Sequence, residues 1–157
     1  MHPNEQLIQK FYSSFQARDA AAMTACYHPD AVFSDPVFGR LQGTRATAMW
    51  HMLCARAKNL HIIFNNVQAN ADNGAAHWED HYTFGQTHRS VHNVIDAAFV
   101  FRDNRIIQHI DTFDLWQWAR MALGPVGLFL GWTPTLQTAI RKDARQSLEV
   151  FMQKQRG

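Results

Sequence analysis

Four ionisable side chains stand inside stretches of the sequence that are otherwise mostly apolar. Asp35 interrupts the run AVFSDPVFG, Asp80 lies in WEDHY, and His109 and Asp111 lie in HIDTF. Burial and like-charge repulsion raise the pKa of carboxylic acids, and a neighbouring carboxylate raises that of a histidine. Such a mixture suits proton transfer between a general acid and a general base, or the orientation of a reacting water molecule. We predict these four residues as the catalytic group.

Each of these residues also has a purely structural interpretation. Asp35 precedes Pro36, and Asp-Pro pairs often open turns. Asp80 and Asp111 could be structural acids bonded to arginine, histidine or backbone groups, because buried charges need partners. His109 could be a satisfied core histidine. Asp114 is more typical of a helix cap than of a catalyst.

Three helices are predicted in the first third of the chain. Apolar residues at one-and-four spacing indicate the first helix, with Asn4 as a possible cap. Asp19 would cap a short second helix that stops before Pro29, and Thr44 would cap the third. The apolar stripe of the first helix and the inward residues of the third are Leu7, Ile8, Phe11, Tyr12, Phe15, Met49, Trp50, Leu53 and Ala57.

Strands dominate the middle of the chain. AVFSDPVFG is expected to form a strand, followed by a turn region at Gly39 and Gly43. After Leu60 the apolar period changes to two, and the candidate strands are His61–Ala69, Ala75–Gln86, His92–Phe101 and Arg105–Phe113. Asn73-Gly74 and Asp103-Asn104 are hairpin signals. This order predicts an α+β domain whose mainly antiparallel sheet is covered by helices on one face.

Alternation determines which side chains share a strand face. Trp78, Asp80, Tyr82 and Phe84 lie on one face, and three of them are large aromatic residues, so this face is predicted to be buried. Ile107, His109, Asp111 and Phe113 alternate together, as do the mainly apolar residues Asn93, Ile95, Ala97, Phe99 and Phe101. Convergence of these faces would enclose an apolar cavity around the catalytic candidates. The predicted ligand-binding residues are Phe11, Phe33, Trp50, Trp78, Tyr82, Phe84, Asn93, Ala97, Phe99 and Phe113.

A helical extension, residues 124–157, is predicted to pack on the domain formed by residues 1–123. Asp114 would cap a helix through Leu123, and Thr133-Pro134 is a favourable helix start. The apolar stripe of the last helix is Leu136, Ile140, Ala144, Leu148 and Phe151. The extension could cover the mouth of the cavity or exchange onto a partner subunit. Its GPVGLFLGW segment could gate a ligand or simply pack, and we favour packing.

Composition limits the classes of function. The chain has 157 residues, with 15 basic and 13 acidic side chains interspersed, which favours neither nucleic acid nor a membrane surface as a partner. No signal peptide is visible, and the most apolar stretch, 122–132, is too short and too broken to span a bilayer. Cys26 and Cys54 are predicted to be reduced thiols of a cytoplasmic protein, and a single disulfide between them is the alternative.

A metal site is a weaker possibility on the opposite strand face. His77, Glu79 and His81 occupy alternate positions there, as metal ligands on a strand would. No ligand set with a suitable spacing completes the site. We therefore predict that the protein uses neither a metal nor another cofactor.

Two segments, DAVFSDPVFGRLQGTRATAMWHML and IIQHIDTFDLWQWARMALG, together with the order of elements, resemble the nuclear transport factor 2-like superfamily. This group includes ketosteroid isomerases, limonene-epoxide hydrolases, scytalone dehydratase and SnoaL-like polyketide cyclases. The resemblance covers roughly residues 5–123. It implies a cone in which a strongly curved sheet and three N-terminal helices enclose one deep apolar pocket. It also implies a homodimer that pairs through the outer face of the sheet.

Site residues follow from the same resemblance. The Asp35-Pro36 segment is similar to the one that supplies the proton-abstracting aspartate of ketosteroid isomerase. The oxyanion donors of that enzyme fall on Phe11 and nearest Ala97, neither of which can donate, with Asp96 one residue away on the opposite strand face. HIDTFD resembles the last strand of limonene-epoxide hydrolase, which places Asp111 at its water-activating aspartate.

Further positions of that hydrolase can be matched. Asp80 lies at about its second aspartate, Trp78 replaces the arginine between the two acids, and Asp35 stands at its water-holding asparagine. The resemblance thus implies a cofactor-independent acid–base enzyme of isomerase, hydrolase, dehydratase or cyclase type. Its substrate would be a small hydrophobic cyclic or polyketide-like molecule. The alternative is a binding or protein-interaction module with the same fold but no chemistry.

Overall fold

A computed structural model describes residues 1–156 of the chain and contains six helices and six strands within that range. The helices are α1 (Pro3–Gln16), α2 (Ala20–Ala25), α3 (Thr44–Arg56), α4 (Leu115–Leu123), α5 (Pro125–Leu130) and α6 (Pro134–Arg156). The strands are β1 (Tyr27–Asp35), β2 (Gly39–Gln42), β3 (His61–Ala69), β4 (Asn73–Thr83), β5 (Ser90–Arg102) and β6 (Arg105–Thr112).

The strands form one sheet in the order β2-β1-β6-β5-β4-β3. Only the β1–β6 pair is parallel, and all other neighbours are antiparallel. The predicted α+β class with a mainly antiparallel sheet is confirmed. The parallel pair places the ends of β1 and β6 side by side, and these ends carry two of the acidic candidates.

Several helix ends are fixed by side-chain caps. The carboxylate of Asp19 accepts from the backbone N–H of Ala22, and that of Asp114 accepts from Gln117, as predicted. The predicted cap Asn4 is wrong: His2 caps α1 through its Nδ1 atom, while the Asn4 amide donates to the carbonyl groups of Asn70 and Ala71. Asn4 therefore ties α1 to the turn after β3.

Helix α3 also differs from the prediction. Its N-cap is Gly43 rather than Thr44, and no side chain bonds to the exposed N–H groups there. Gly43 has a φ of 58°, a conformation that suits glycine and lets the chain reverse sharply between β2 and the helix. Strand β2 itself replaces the predicted turn region around Gly39. It is a four-residue edge strand, too short to show alternation.

Two strand connections illustrate what local signals can determine. Asp103 and Asn104 both have positive φ angles and close the predicted β5–β6 hairpin between Arg102 and Arg105. Residues 70–73 form the β3–β4 turn, because Ala69 already pairs with Gly74. The turn therefore lies earlier in the chain than the predicted Asn73-Gly74 position. In that turn the Asn70 side chain accepts from the N–H groups of residues 72 and 73.

The predicted alternation in β6 fails at Ile107. Phe101 pairs with Ile106 but Val100 pairs with Gln108, so Ile107 is an extra residue at a bulge. Ile106, which is fully buried, takes its place on the inner face beside His109 and Asp111.

The C-terminal segment forms part of one wall of the molecule. The Thr133 hydroxyl accepts from the backbone N–H of Leu136 at the start of α6. Farther along α6, Leu148 and Phe151 join the main hydrophobic core. Arg141 donates to the carbonyl of Pro36 and Arg145 to that of Phe38, so α6 holds the turn between β1 and β2.

The short helix α5 was not predicted. It follows Gly124 and rests on α4, where a Cβ atom on Gly127 would lie 1.9 Å from the Ala119 carbonyl oxygen. Gly127 therefore permits the close approach of the two helices. Cys26 and Cys54 are free thiols, and burial raises the pKa of each. None of the helices among residues 1–156 is both long and apolar enough to cross a membrane.

Candidate active site

A cavity of about 430 Å³ lies between the inner face of the sheet and helices α3, α4 and α6. Its wall is mainly apolar and aromatic, with Phe33, Trp50, Trp78, Phe113 and Trp118 among the larger contributors. Besides the exposed Asp143, which accepts from the Gln86 side chain, three carboxyl groups interrupt this wall, those of Asp35, Asp80 and Asp111. Acids inside an apolar cavity of this size are unusual unless they bind or react with something there.

Asp111 is held from behind by two N–H donors. His109 Nε2 lies 2.9 Å from its Oδ1 atom, and Trp78 Nε1 donates to the same oxygen over 3.3 Å. Asp111 is only 4% exposed, and His109 is completely buried. Both neighbours therefore donate to one oxygen of Asp111 and fix the orientation of its carboxyl group.

The chain of hydrogen bonds continues behind His109. Its Nδ1 atom lies 2.8 Å from the Tyr27 hydroxyl, which in turn accepts from Trp50 Nε1 over 2.9 Å. Burial raises the pKa of Tyr27 well above its usual 10.0, so the phenol keeps its proton. Because the Tyr27 oxygen already accepts from Trp50, its own proton points to His109 Nδ1. His109 then carries its proton on Nε2 and donates it to Asp111.

Asp35 has two roles in the geometry. Its Oδ1 atom accepts from the backbone N–H of Phe38 over 2.6 Å, so it does stabilise the turn after β1. It also lines the cavity, and because Phe33 pairs with His109, Asp35 lies beside Asp111 two residues farther along the parallel strands. Burial is the main cause that raises the pKa of Asp35 to about 7, and repulsion from Asp111 adds to the rise. The hydrogen bond from the Phe38 N–H opposes it.

Asp80 reaches the cavity from β4. Burial is the main cause that raises its pKa to about 7; repulsion from Asp111 adds to the rise, while the nearby N–H of Asn93 and the charge of His92 oppose it. Its Oδ1 atom is buried and has no hydrogen-bond partner among residues 1–156. An unpartnered buried oxygen is costly, and the protonated form of the acid reduces that cost.

Tyr82 lies two residues after Asp80, on the same strand face. Its hydroxyl accepts from Trp118 Nε1 over 2.8 Å. Burial and the charges of Asp80 and Asp35 raise the pKa of the hydroxyl, so it remains protonated. The cavity thus offers a neutral O–H group as well as the carboxyl groups of Asp35, Asp80 and Asp111.

The predicted ligand-binding residues separate into two groups. Six line the cavity: Phe33, Trp50, Trp78, Tyr82, Phe84 and Phe113. Four are buried without reaching its wall: Phe11, Asn93, Ala97 and Phe99. Phe11 stacks on Tyr27 at 5.6 Å, and Phe99 packs on His109 at 4.4 Å, so both support the hydrogen-bond chain. His109 likewise lies behind Asp111 rather than at the wall.

Some cavity residues escaped the sequence patterns. Val37 and Phe38 follow Asp35 in the turn, Trp118 comes from α4, and α6 contributes Leu136 and Ile140. The stripe on α6 correctly indicated one buried face. A stripe does not identify what a helix packs against, so the cavity contact of α6 had no local signal.

The outer face of the sheet carries a separate polar cluster. His77 bonds to Glu79 and to Asp96, and His92 bonds to the other oxygen of Glu79. The hydrogen bond to Asp96 is the main cause that raises the pKa of His77. Asp96 is therefore occupied on the outer face, away from the cavity. No group of three metal-ligating side chains in residues 1–156 has a geometry suited to a metal ion.

Sequence comparison identifies a family profile that covers most of the site. The profile of the SnoaL-like domain matches residues 8–109. The chain has no significant match among curated proteins.

Solved structures share the fold at low sequence identity. An LEH-like epoxide hydrolase of M. tuberculosis is 20% identical, with a TM-score of 0.65 over 82% of this chain and 96% of that one. A candidate SnoaL-like polyketide cyclase from Jannaschia sp. CCS1 is 14% identical, with a TM-score of 0.67 over 78% and 93%. A hypothetical protein with a ketosteroid isomerase-like fold from Catenulispora acidiphila is 13% identical, with a TM-score of 0.66 over 82% and 97%.

Proposed function

This chain belongs to the SnoaL-like domain family of the nuclear transport factor 2-like superfamily, and we propose that it is a general acid–base enzyme that needs no cofactor. Its substrate is a small hydrophobic cyclic or polyketide-like molecule with a carbonyl, hydroxyl or epoxide oxygen. The main support is that three carboxyl groups in one apolar cavity have different environments. Two side-chain N–H groups bond to one oxygen of Asp111, whereas burial raises the pKa of Asp35 and Asp80 to about 7.

Asp111 acts as the base in this proposal. Its carboxylate removes a proton from an acidic C–H group of the substrate or from a water molecule. His109 and Trp78 hold one of its oxygens, which leaves the other for the reacting proton. His109 acts through Asp111 as a positioning residue, because it is completely buried behind it.

Asp80 and Asp35 act as the acids. A carboxyl group with a pKa near 7 is partly protonated at neutral pH and can donate to the oxygen on which charge develops. Proton removal by Asp111 and donation by Asp80 or Asp35 together give isomerisation, ring closure or loss of water. With water as the nucleophile, they give epoxide opening. The structural similarity to an LEH-like epoxide hydrolase and a candidate polyketide cyclase supports this range of reactions.

A thermal-shift screen followed by product analysis tests the proposal. Cyclic ketones, epoxides and hydroxylated aromatic compounds are screened against the wild type, Asp111→Asn and the control Asp72→Asn, which changes an exposed aspartate in the β3–β4 turn. Each ligand is then incubated with protein and followed by mass spectrometry and NMR. We expect turnover by the wild type and Asp72→Asn, and binding without turnover by Asp111→Asn. Ligands that stabilise all three proteins and return unchanged would indicate a binding module instead.

We also propose a homodimer that pairs through the outer face of the sheet. Ile63, Val94 and Ile110 are 40%, 47% and 37% exposed on β3, β5 and β6, and the β-strand register places Ile63 and Val94 on either side of Glu79. Exposed apolar side chains of this kind are common in subunit interfaces. Analytical ultracentrifugation of the wild type and Val94→Asp tests this: a dimer is expected for the wild type and a monomer for the variant.

A further inference from the structure

The Tyr82 hydroxyl is oriented by a residue from a different element. Trp118 on α4 donates its indole N–H to the Tyr82 oxygen over 2.8 Å. That hydrogen bond occupies an acceptor position of the phenol and leaves its proton without an acceptor among residues 1–156. Since Tyr82 and Trp118 both line the cavity, the free proton is available to a molecule bound there.

Asp80 offers a second unpartnered group near this proton. It precedes Tyr82 by two residues, so both side chains leave β4 on the same face. Its buried Oδ1 atom has no hydrogen-bond partner in the described chain. Burial favours the neutral acid, which is a hydrogen-bond donor. Two O–H groups on one strand face therefore lack acceptors in the same cavity.

We propose that Tyr82 and Asp80 together bind the carbonyl or enolate oxygen of the substrate, and that Trp118 is the positioning residue for the Tyr82 hydroxyl. This inference rests on the proposed function and specifies its substrate class as cyclic ketones. A carbonyl oxygen has two lone pairs and can accept from both groups at once. Phe84, Trp118 and Leu123 line the cavity nearby and suit the hydrocarbon part of such a molecule.

The proposed oxygen site and the base belong to different parts of the sheet. Asp80 pairs with Asn93 and Asp111 pairs with Ala97, so their backbones are four residues apart along β5, roughly 13 Å, and also two strand spacings apart across it, roughly 10 Å. A conjugated cyclic ketone bound between them would present its oxygen to Tyr82, and the conjugation would make a C–H group remote from that oxygen acidic enough for Asp111 to remove.

Paired probes test the oxygen site without any need for turnover. 2-Tetralone, labelled with ¹³C at the carbonyl carbon, is compared with tetralin, which has nearly the same shape and no oxygen. Affinities are measured by calorimetry and the carbonyl resonance by NMR. The proteins are the wild type, Tyr82→Phe, Trp118→Phe, Asp80→Asn and the control Tyr12→Phe, which removes a buried hydroxyl outside the cavity wall.

We expect the wild type to prefer 2-tetralone by about 10-fold, since each hydrogen bond contributes a factor of roughly 3 to 10. Its carbonyl resonance moves downfield on binding. In Tyr82→Phe most of the preference and of the downfield shift is lost, while tetralin still binds and so reports an intact cavity. Trp118→Phe gives an intermediate shift. Asp80→Asn keeps much of the preference, because its amide can still donate.

Three results would overturn the assignment. The first is a wild type that does not prefer the ketone, and the second is a Tyr82→Phe protein that keeps both preference and shift. The third is a control, Tyr12→Phe, that loses them equally. Loss of ketone binding in Tyr82→Phe without turnover of any compound by the wild type would refute the proposed enzyme but not the oxygen site. If Asp111→Asn abolishes turnover and Tyr82→Phe leaves it unchanged, the oxygen site would be refuted and the proposed enzyme supported.

Discussion

Replacing Asp80 with asparagine is expected to stabilise the protein relative to the wild type as the pH rises from about 4 to about 7. In the folded wild type, burial is the main cause that raises the pKa of Asp80 from its ordinary 3.8 to about 7. Between these values the folded state holds a proton that the unfolded state has released. The free energy of unfolding of the wild type therefore falls as the pH rises through this window. Asparagine does not titrate, so the variant avoids this loss.

The size of the effect follows from the shift in pKa. A rise of about three pKa units corresponds to about 4 kcal/mol at roughly 1.4 kcal/mol per unit. Solvent screening of the charged acid reduces this value, so we expect about 2–4 kcal/mol. The groups that interact with this carboxyl are Asp111, which increases the shift, and His92 and the Asn93 N–H, which reduce it. Other ionisable groups at the cavity wall are Asp35, Arg56, Lys58, Tyr82 and Asp143.

Urea unfolding followed by tryptophan fluorescence at pH 4.5, 6, 7 and 8 measures the effect. The informative quantity is the free energy of unfolding of Asp80→Asn minus that of the wild type at each pH, because most other titrations then cancel. Asp72→Asn, an exposed change of the same chemistry outside the cavity wall, is the control. A difference for Asp80→Asn that is the same at pH 4.5 and pH 8 would refute the raised pKa and, with it, the assignment of Asp80 as an acid.

Two further substitutions test how the structure is assembled. Gly127→Ala should lower the free energy of unfolding by about 1–3 kcal/mol, since its Cβ atom would overlap the Ala119 carbonyl; Gly85→Ala, where the space is open, is the control in thermal melts. Tyr27→Phe should cost about 1–3 kcal/mol by leaving the Trp50 N–H and His109 Nδ1 without a partner. It should also change the ¹⁵N resonances of His109, and unchanged resonances would contradict the proposed tautomer.

Local signals predicted much of the fold. Asp19, Asp114 and Thr133 cap helices as their sequence contexts indicated, and Asp103-Asn104 forms a hairpin. These features depend on residues close together in the chain. Asn4 shows the limit: its amide bonds to the carbonyl of Asn70, a contact 66 residues away, so no local pattern could assign it. The bulge at Ile107 is equally hidden, because alternation assumes an uninterrupted strand.

The sequence predicted which side chains of the site face inward, but not which of them reach the cavity. Alternation placed Asp80 and Asp111 on inward faces, and both line the cavity. Ala97 and Phe99 also face inward, yet they are covered by other side chains, because alternation separates two faces without locating the space between them. Trp118 lies at the cavity through the packing of α4, and its bond to Tyr82 spans 36 residues.

The three acids are all aspartates, so the different roles proposed for them depend on their neighbouring residues. Each carboxyl group faces the same cavity, but among the bonds of residues 1–156 only Asp111 accepts N–H groups from two side chains, Trp78 and His109. The substitution Trp78→Phe would remove one of these donors while keeping an aromatic side chain at the cavity wall. Without the indole, the hydrogen bond to His109 alone orients the Asp111 carboxyl group, which is then free to turn about that bond. The repulsion that raises the pKa of Asp35 and Asp80 changes with the position of the Asp111 carboxyl group. One buried indole would thus influence the proton state of Asp35 and Asp80 through the position of Asp111.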